Sequence, residues 1–321
     1  MPAIQVDSLL RIPRIGLVSS QEQQERKTFL VTSAPRMLEG AGFEVRRAFA
    51  ELDLRLADPF LLLDHMGAVE YAPGEAKGAP DHPHRGFETV TYMLDGVLEH
   101  RDSNGGGGLI TDGATQWMTA GSGIVHSEMP TEQIVMKGGL FHGVQLWVNL
   151  PRTQKLAAPQ YQDLEATRVT LLASEGGGAL VRLIAGELAG HRGPGSSRTP
   201  IMYAHATISP GARLQVPWRQ DFNALLYVLA GRGAVGPELR PIREGQLAVM
   251  GPGNLVTVYG DALQESKSPV LEVLLLGGMP IKEPIAWHGP FVMNTQAEIY
   301  QAITDYHAGR MGSIPAKRKE A

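Results

Sequence analysis

The sequence predicts an all-β protein built from two small antiparallel barrels of the jelly-roll type in tandem, followed by a short C-terminal helix. Gly (38) and Pro (22) exceed average usage, which is typical of short strands joined by tight turns. Two blocks of the chain also resemble each other, so one barrel-sized unit occurs twice. At 321 residues the chain is long enough for both units, and we expect them at 1–150 and 151–321.

Composition and charge exclude several classes of protein. The chain has 43% hydrophobic and 19% charged residues, and its net charge of −4 gives no field that would attract nucleic acid. It has no Cys, so we expect neither disulfides nor thiol chemistry. The start lacks a signal-peptide core, and no apolar run reaches about 18 residues, so no membrane segment is predicted. These features indicate a cytoplasmic enzyme or binding protein.

The first block contains the clearest strand signals. Residues before about Pro35 are predicted to be an arm outside the barrels. Val90 to Leu94 is a buried strand ended by the turn pair Asp95-Gly96, and Leu98 to Asp102 is predicted as its hairpin partner. Leu140 to Leu150 is another strand.

The second block follows a predicted linker at Pro151 to Tyr161 and runs from Ile201 to about Leu276. A helix at about 295–308 is predicted after it, because Thr295 and Glu298 fit a capping box and a glycine follows at the expected C-terminal end. The basic tail Lys317 to Lys319 is interpreted as a solubilising end.

The internal repeat is carried by two pairs of matching segments. TYMLDG matches LYVLAG, so that Tyr227 lies 135 residues after Tyr92. GATQWMTAG, which begins at Gly113, matches GQLAVMGPG, which begins 132 residues later at Gly245. The second block is therefore interpreted as a second copy of the first.

The strongest functional signal lies between Asp81 and Pro130. His82 and His84 form one i, i+2 pair, and His126 and Glu128 form another. In strands, such pairs point to one face, so two adjacent strands would bring three imidazoles and one carboxylate together. This donor set suits a divalent transition metal such as iron, manganese, nickel or copper, with positions left open for substrate or oxygen.

The second block lacks this donor set. At the offsets above, the counterparts of His82, His84, His126 and Glu128 are Pro217, Arg219, Val258 and Gly260. None of these side chains can replace its counterpart as an ordinary metal ligand. The sequence therefore predicts one metal site per chain, in the first barrel.

Several other residues have two interpretations. Glu88 shares strand parity with His82 and His84, so it either faces the cavity near the ligands or is a buried structural partner. Three further histidines are either extra ligands or substrate contacts, or ordinary core and surface residues. These are His65, His100 and His142. Four large side chains either fill the barrel or its interface, or line a pocket for a flat aromatic ligand. These are Phe87, Trp117, Met118 and Trp147.

The chain resembles the pirin family of the cupin superfamily. The motifs that carry the resemblance are DPFLLLDHMG, DHPHRGFETVTYMLDG, QWMTAGSGIVHSEMP, VQLWVNLP and HGPFVMNT. The resemblance implies two cupin barrels (double-stranded β-helices), with a metal in the first barrel alone. It places the ligands at His82, His84, His126 and Glu128, and the family's HAE is HSE here. The metal it implies is usually Fe²⁺, with Mn, Ni, Co, Cu or Zn as alternatives.

Two activities follow from this resemblance. Some pirins resemble quercetin 2,3-dioxygenases, which open the heterocycle of a flavonol with O₂ and release carbon monoxide. Others act as non-catalytic, redox-sensitive regulators that bind another protein. A cupin isomerase or sugar-binding module is a third, less specific possibility. For a dioxygenase, Glu128 is either a permanent ligand or the general base that accepts the proton of the substrate's 3-hydroxyl.

Overall fold

The computed structural model describes residues 8–16, 21–264 and 268–315. The predicted basic tail, Lys317 to Lys319, lies outside the described residues. The elements of the first half, in chain order, are β1 (Thr28–Ser33), β2 (Arg36–Glu39), β3 (Phe43–Arg47), α1 (Leu54–Ala57), β4 (Phe60–Tyr71), β5 (Ala79–His84), β6 (Phe87–Asp95), β7 (Leu98–Asp102), β8 (Gly107–Ile110), β9 (Thr115–Thr119), β10 (Ile124–Pro130), α2 (Glu132–Lys137), β11 (Gly139–Asn149) and β12 (Gln160–Leu164). Those of the second half are β13 (Thr170–Ala173), β14 (Ala179–Ala185), β15 (Glu187–Leu188), β16 (His191–Arg192), β17 (Ile201–Ile208), β18 (Arg213–Pro217), β19 (Asn223–Ala230), β20 (Arg232–Val235), β21 (Arg240–Arg243), β22 (Gln246–Met250), β23 (Leu255–Gly260), β24 (Leu271–Gly278), β25 (Ala286–His288), β26 (Phe291–Met293) and α3 (Gln296–His307).

The chain forms two barrels, each made of one seven-stranded and one four-stranded antiparallel sheet. In the N-terminal barrel the strand orders are β12-β9-β6-β11-β4-β3-β2 and β5-β10-β7-β8. In the C-terminal barrel they are β1-β22-β19-β24-β17-β14-β13 and β18-β23-β20-β21. The orders correspond position by position, so the tandem barrels and the internal repeat are both confirmed.

Each seven-stranded sheet takes an edge strand from outside its own sequence block. β1, which lies in the predicted arm, pairs with β22 of the C-terminal barrel. β12, which begins at the end of the predicted linker, pairs with β9 of the N-terminal barrel. Strand pairing thus crosses residue 150, and the division into 1–150 and 151–321 stays a prediction.

The two seven-stranded sheets pack face to face and form a shared buried core. Strand alternation sends Val90 and Tyr92 of β6, and Leu225 and Tyr227 of β19, into this interface. The intervening Leu226 belongs instead to the apolar core of the C-terminal barrel. The interface therefore fixes which side chains of each sheet point into its own barrel.

The pairing of β18 with β23 corrects the predicted counterparts of two histidines. β10 pairs His126 with His82 and Ile124 with His84, whereas β23 pairs Val258 with Leu214 and Val256 with Val216. Leu214 and Val216 are therefore the counterparts of His82 and His84, and the predictions of Pro217 and Arg219 were wrong. The loop before β19 is three residues longer than the loop before β6, so the offset measured on the tyrosines does not hold upstream of it.

The turn at Asp95-Gly96 does not form the predicted hairpin. β6 lies in the seven-stranded sheet, while β7 pairs with β8 and β10 in the four-stranded sheet. Gly96 permits this change of sheet because its φ is +101° and a Cβ would lie 2.7 Å from the carbonyl oxygen of Leu140. As a result, β7 lies beside β10 and His126.

The C-terminal helix α3 begins as predicted. The Thr295 side chain accepts from the backbone N–H of Glu298, and the Glu298 carboxylate accepts from the backbone N–H of Thr295. Gly309 follows the helix with φ of +72°, which a C-terminal capping glycine favours. No helix within the described ranges is long and apolar enough to cross a membrane.

Candidate metal centre

Three of the predicted ligands come together where β5 and β10 pair. His126 lies directly opposite His82, and His84 is two residues further along β5 on the same face. The ring of His126 is 4.3 Å from that of His82 and 4.9 Å from that of His84, centroid to centroid. One nitrogen from each ring lies within 4.8 Å of the others, so these imidazoles could hold a single ion.

Hydrogen bonds leave the same ring atom available on each of the three histidines. Nδ1 of His82 is 2.7 Å from the carbonyl oxygen of Pro80, and Nδ1 of His84 is 3.3 Å from that of Pro290. Because a carbonyl oxygen only accepts, both Nδ1 atoms carry a proton, and Nε2 is the nitrogen that offers a lone pair in the neutral ring. Nε2 of His126 is buried and has no hydrogen-bond partner. A buried ring nitrogen without a hydrogen-bond partner, next to two other histidine rings, fits a set of metal ligands.

Burial and neighbouring histidines keep the imidazoles of His84 and His126 neutral. Burial lowers the pKa of His84 well below its ordinary value, and the neighbouring His82 lowers it further. Burial also lowers the pKa of His126 strongly, with added contributions from His84, His82 and His100. Metals bind the neutral imidazole, so the site is ready to coordinate at neutral pH without releasing protons from these two rings.

Glu128 lies next to His126 but is grouped differently. Oε1 of Glu128 accepts from the Thr91 hydroxyl at 2.6 Å, and Oε2 accepts from the Gln145 amide at 3.2 Å. Its carboxylate falls in a second potential metal group, with His126 and His100. A register shift between His126 and Glu128 contributes to this placement, because Glu128 pairs opposite Ala79 instead of Pro80.

Glu88 does not contact the histidine cluster. Its carboxylate accepts hydrogen bonds from the side chains of Trp117, Thr119 and Ser197 at 2.6–3.2 Å, and it is fully buried. These contacts match the structural alternative. The parity argument failed because β5 ends at His84 and β6 begins at Phe87, so alternation does not continue across the intervening Gly86.

On β7, an extra ligand or substrate contact was one of the two predicted alternatives for His100, whereas its buried partner Asp102 was missed. His100 lies opposite Glu128 and Asp102 lies opposite His126. Both side chains are buried, and the His100 ring stacks on Tyr161 with centroids 5.2 Å apart. Burial alone would raise the pKa of Asp102, but hydrogen bonds from His100 and two backbone amides lower it below its ordinary value. The sequence signal for Asp102 was the alternating pattern His-x-Asp, which lies opposite His-x-Glu. It was not used because β7 was predicted to pair with β6 instead of β10.

His82, His84 and Glu128 border a cavity of about 660 Å³, which is within the range of small-molecule sites. Met66, Trp147 and Trp287 contribute apolar walls. Phe87 stacks on Trp147 at 4.2 Å between centroids, which fixes the indole next to His84. Trp117, by contrast, packs in the interface between the barrels. The cavity can therefore take a flat aromatic molecule at the histidine cluster.

His65 and His142 lie away from the cluster, at the interface between the barrels. Their Nε2 atoms are 2.8 Å apart, and Nδ1 of His65 is 3.2 Å from the Tyr227 hydroxyl. In the same interface, Nδ1 of His205 is 3.0 Å from the Tyr92 hydroxyl. These contacts join the two barrels. His65 and His142 therefore match the predicted alternative of ordinary core residues and not that of extra ligands.

Stability should fall as the pH drops below about 6.5. Burial is the largest cause that lowers the pKa of His65 and of His205 below the ordinary value, so the unfolded chain binds more protons than the folded one. Each group should cost up to about 1.4 kcal/mol per pH unit until its folded pKa is reached. Urea denaturation from pH 8 to 5 measures this. His205→Gln should flatten the profile, the exposed His307→Gln should not, and a flat wild-type profile would contradict the prediction.

The fold and the site together define a two-domain cupin protein with a candidate metal centre in its N-terminal barrel. The model of the Pirin family matches residues 42–148, and that of the Pirin C-terminal cupin domain matches residues 203–312. The chain belongs to the pirin family.

The similarity to other pirins extends over nearly the whole chain. Pirin-like protein 2 of Arabidopsis thaliana is 41% identical and covers 93% of this chain and 89% of its own length. Human Pirin is 38% identical, with coverage of 91% and 96%. Among solved structures, a quercetin 2,3-dioxygenase from Acinetobacter baumannii has a TM-score of 0.83 and 35% identity, and covers 91% of this chain and 100% of its own.

Proposed function

We propose that this protein is a metal-dependent dioxygenase that opens the heterocycle of a flavonol such as quercetin with O₂ and releases carbon monoxide. The observation that carries the proposal is the cluster of His82, His84 and His126, whose ring nitrogens lie close enough to hold one ion. It lies beside a cavity that has aromatic walls and that His82, His84 and Glu128 line. The similarity to the quercetin 2,3-dioxygenase of Acinetobacter baumannii supports the choice of substrate class.

In this proposal one divalent metal, Fe²⁺ first and Mn, Ni, Co, Cu or Zn as alternatives, is held by His82, His84 and His126. Glu128 either completes the ligand set or stays beside it. When bound, the ion supplies Lewis acidity toward the 3-oxygen of the flavonol.

The chain's own residues bind and orient the substrate. Trp147, fixed by Phe87, and Trp287 form apolar walls against which a planar ring system can stack. Glu128 accepts the proton of the 3-hydroxyl, and the hydrogen bonds from Thr91 and Gln145 hold its two oxygens in a fixed orientation.

Metal removal and restoration test the proposal. The protein is stripped with EDTA, reloaded with one metal at a time, and assayed by the loss of quercetin absorbance together with O₂ consumption. Turnover should vanish in the stripped protein and return with at least one metal. Cleavage that survives complete metal removal would contradict the mechanism. A fully loaded protein without turnover would favour the alternative, a non-catalytic redox-sensitive regulator that binds another protein.

A further inference from the structure

We propose that Asp102 and His100 act as positioning residues that fix the tautomer of His126 and thereby strengthen metal binding. The inference rests on the metal site of the proposed function. Asp102 and His100 lie outside the ligand set of that site, and they act on the tautomer of His126 in the metal-free protein.

The direction of the hydrogen bonds follows from Asp102. Nε2 of His100 is 3.2 Å from Oδ2 of Asp102, and a carboxylate only accepts, so Nε2 of His100 carries the proton. In the neutral ring, Nδ1 of His100 is then an acceptor. It is 3.4 Å from Nδ1 of His126, which must donate. The proton on His126 is thus held at Nδ1, and the lone pair is left on Nε2, the buried atom that has no hydrogen-bond partner.

His100 has no lone pair left for a metal in this arrangement. Its two ring nitrogens are engaged by Asp102 and His126, although its position would otherwise allow it to join the group with Glu128. It therefore orients a ligand instead of acting as one. Its stacking on Tyr161 limits rotation of the ring.

Asp102 cannot change its own orientation freely. Its Oδ1 accepts from the backbone amides of Asn104 at 2.8 Å and Gly106 at 2.9 Å, which leaves Oδ2 for His100. Gly106 allows this close packing, because a Cβ there would lie 2.3 Å from Oδ2. The loop after β7 thus decides which oxygen faces the imidazole.

The C-terminal barrel provides an internal comparison. In its four-stranded sheet, Val258 pairs with Val235 and Gly260 pairs with Gly233, which are the counterparts of Asp102 and His100. Both members of the pair are therefore absent from the barrel that also lacks the three histidines. A pair needed only to build the barrel would not be expected to be replaced together with the ligands.

The substitution Asp102→Asn tests the inference. The two backbone amides should hold the new amide oxygen in the Oδ1 position and turn its NH₂ toward Nε2 of His100. His100 must then carry its proton on Nδ1, facing the N–H of His126, and relief of that clash moves the His126 proton to Nε2. We expect Co²⁺ affinity, measured by isothermal titration calorimetry on the full chain, to fall about 10- to 100-fold.

A second variant separates tautomer control from simple damage to the loop. In a His100→Leu background no imidazole transmits the change, so Asp102→Asn should cause no further loss of Co²⁺ affinity. An equal loss in both backgrounds would overturn the proposal, as would unchanged affinity in Asp102→Asn. Asp112→Asn is the control, since its Oδ1 accepts from the Gly96 amide outside the cluster. If the wild-type chain bound no Co²⁺, the proposed function itself would fail.

The tautomer can also be observed directly, which keeps the test valid if the Leu variant does not fold. In the metal-free protein, ¹⁵N spectra of labelled histidine should show His126 protonated at Nδ1. In Asp102→Asn the proton should move to Nε2. An unchanged His126 spectrum in that variant would overturn the inference.

Discussion

Replacing His126 by Ala should weaken the binding of a divalent metal by about 10²- to 10³-fold. A four-donor protein site commonly gains about 10–16 kcal/mol from its metal, so one ligand accounts for roughly 3 kcal/mol. His126 is the ligand with the largest expected effect, because it is the most deeply buried of the three histidines. Its Nε2 also has no other hydrogen bond to lose.

Binding of Co²⁺ or Ni²⁺ by calorimetry, with metal content per chain as a second measurement, checks this prediction. His142→Ala is a matched control, since that ring is buried in the same barrel but contacts His65 instead of the cluster. The control should lose stability and keep its affinity. Similar affinities in His126→Ala and wild type would show that the cluster is not the metal site.

The part of the site that could be predicted from sequence depends only on alternation within one strand. His82 and His84 share a face because β5 continues unbroken through both. Their meeting with His126 followed from the assumption that two strands pair, and the register bears it out. Glu88 lies beyond the break at Gly86, so its parity with the histidines does not place it in the cavity, and the contacts match the structural alternative.

Other features depend on contacts between distant segments, which no local pattern contains. The edge strands β1 and β12 pair outside their own sequence blocks, and β7 leaves its neighbour β6 to pair with β10. The position of Glu128 depends on a register shift. The counterparts of His82 and His84 depended on a loop-length difference that two short motif matches could not reveal.

The two barrels show how one scaffold can hold or lack a site. Thr91, which supports Glu128, alternates along β6 with interface residues, so it points into the N-terminal barrel. In the C-terminal barrel the positions around the missing site carry Leu214, Val216 and Val258, all fully buried in an apolar core. Buried apolar side chains there replace a polar network, in which every buried polar group would need a hydrogen-bond partner. The interface between the barrels is therefore common to both, and the interiors differ.

Replacing Glu128 by Gln should reduce flavonol turnover by about 10²- to 10⁴-fold even when metal is saturating, the range expected for loss of a general base. Four carboxylates line the cavity, and one of them, Asp81, is exposed. Asp64 and Glu39 pair with Arg47, whereas Glu128 is held by the neutral donors Thr91 and Gln145. It is thus the buried carboxylate best placed to accept a proton from a substrate. Gln has the same shape but accepts no proton at neutral pH.

The measurement separates this role from simple ligation. If Glu128 acts mainly as a ligand, Glu128→Gln should bind metal more weakly, and turnover should recover once excess metal restores full occupancy. If it acts as the base, turnover should stay low at full occupancy while His82, His84 and His126 retain most of the metal affinity. Glu132→Gln, an exposed carboxylate at the start of α2, is the control and should leave both quantities unchanged. Full activity of Glu128→Gln at saturating metal would exclude Glu128 as the proton acceptor and leave it a ligand.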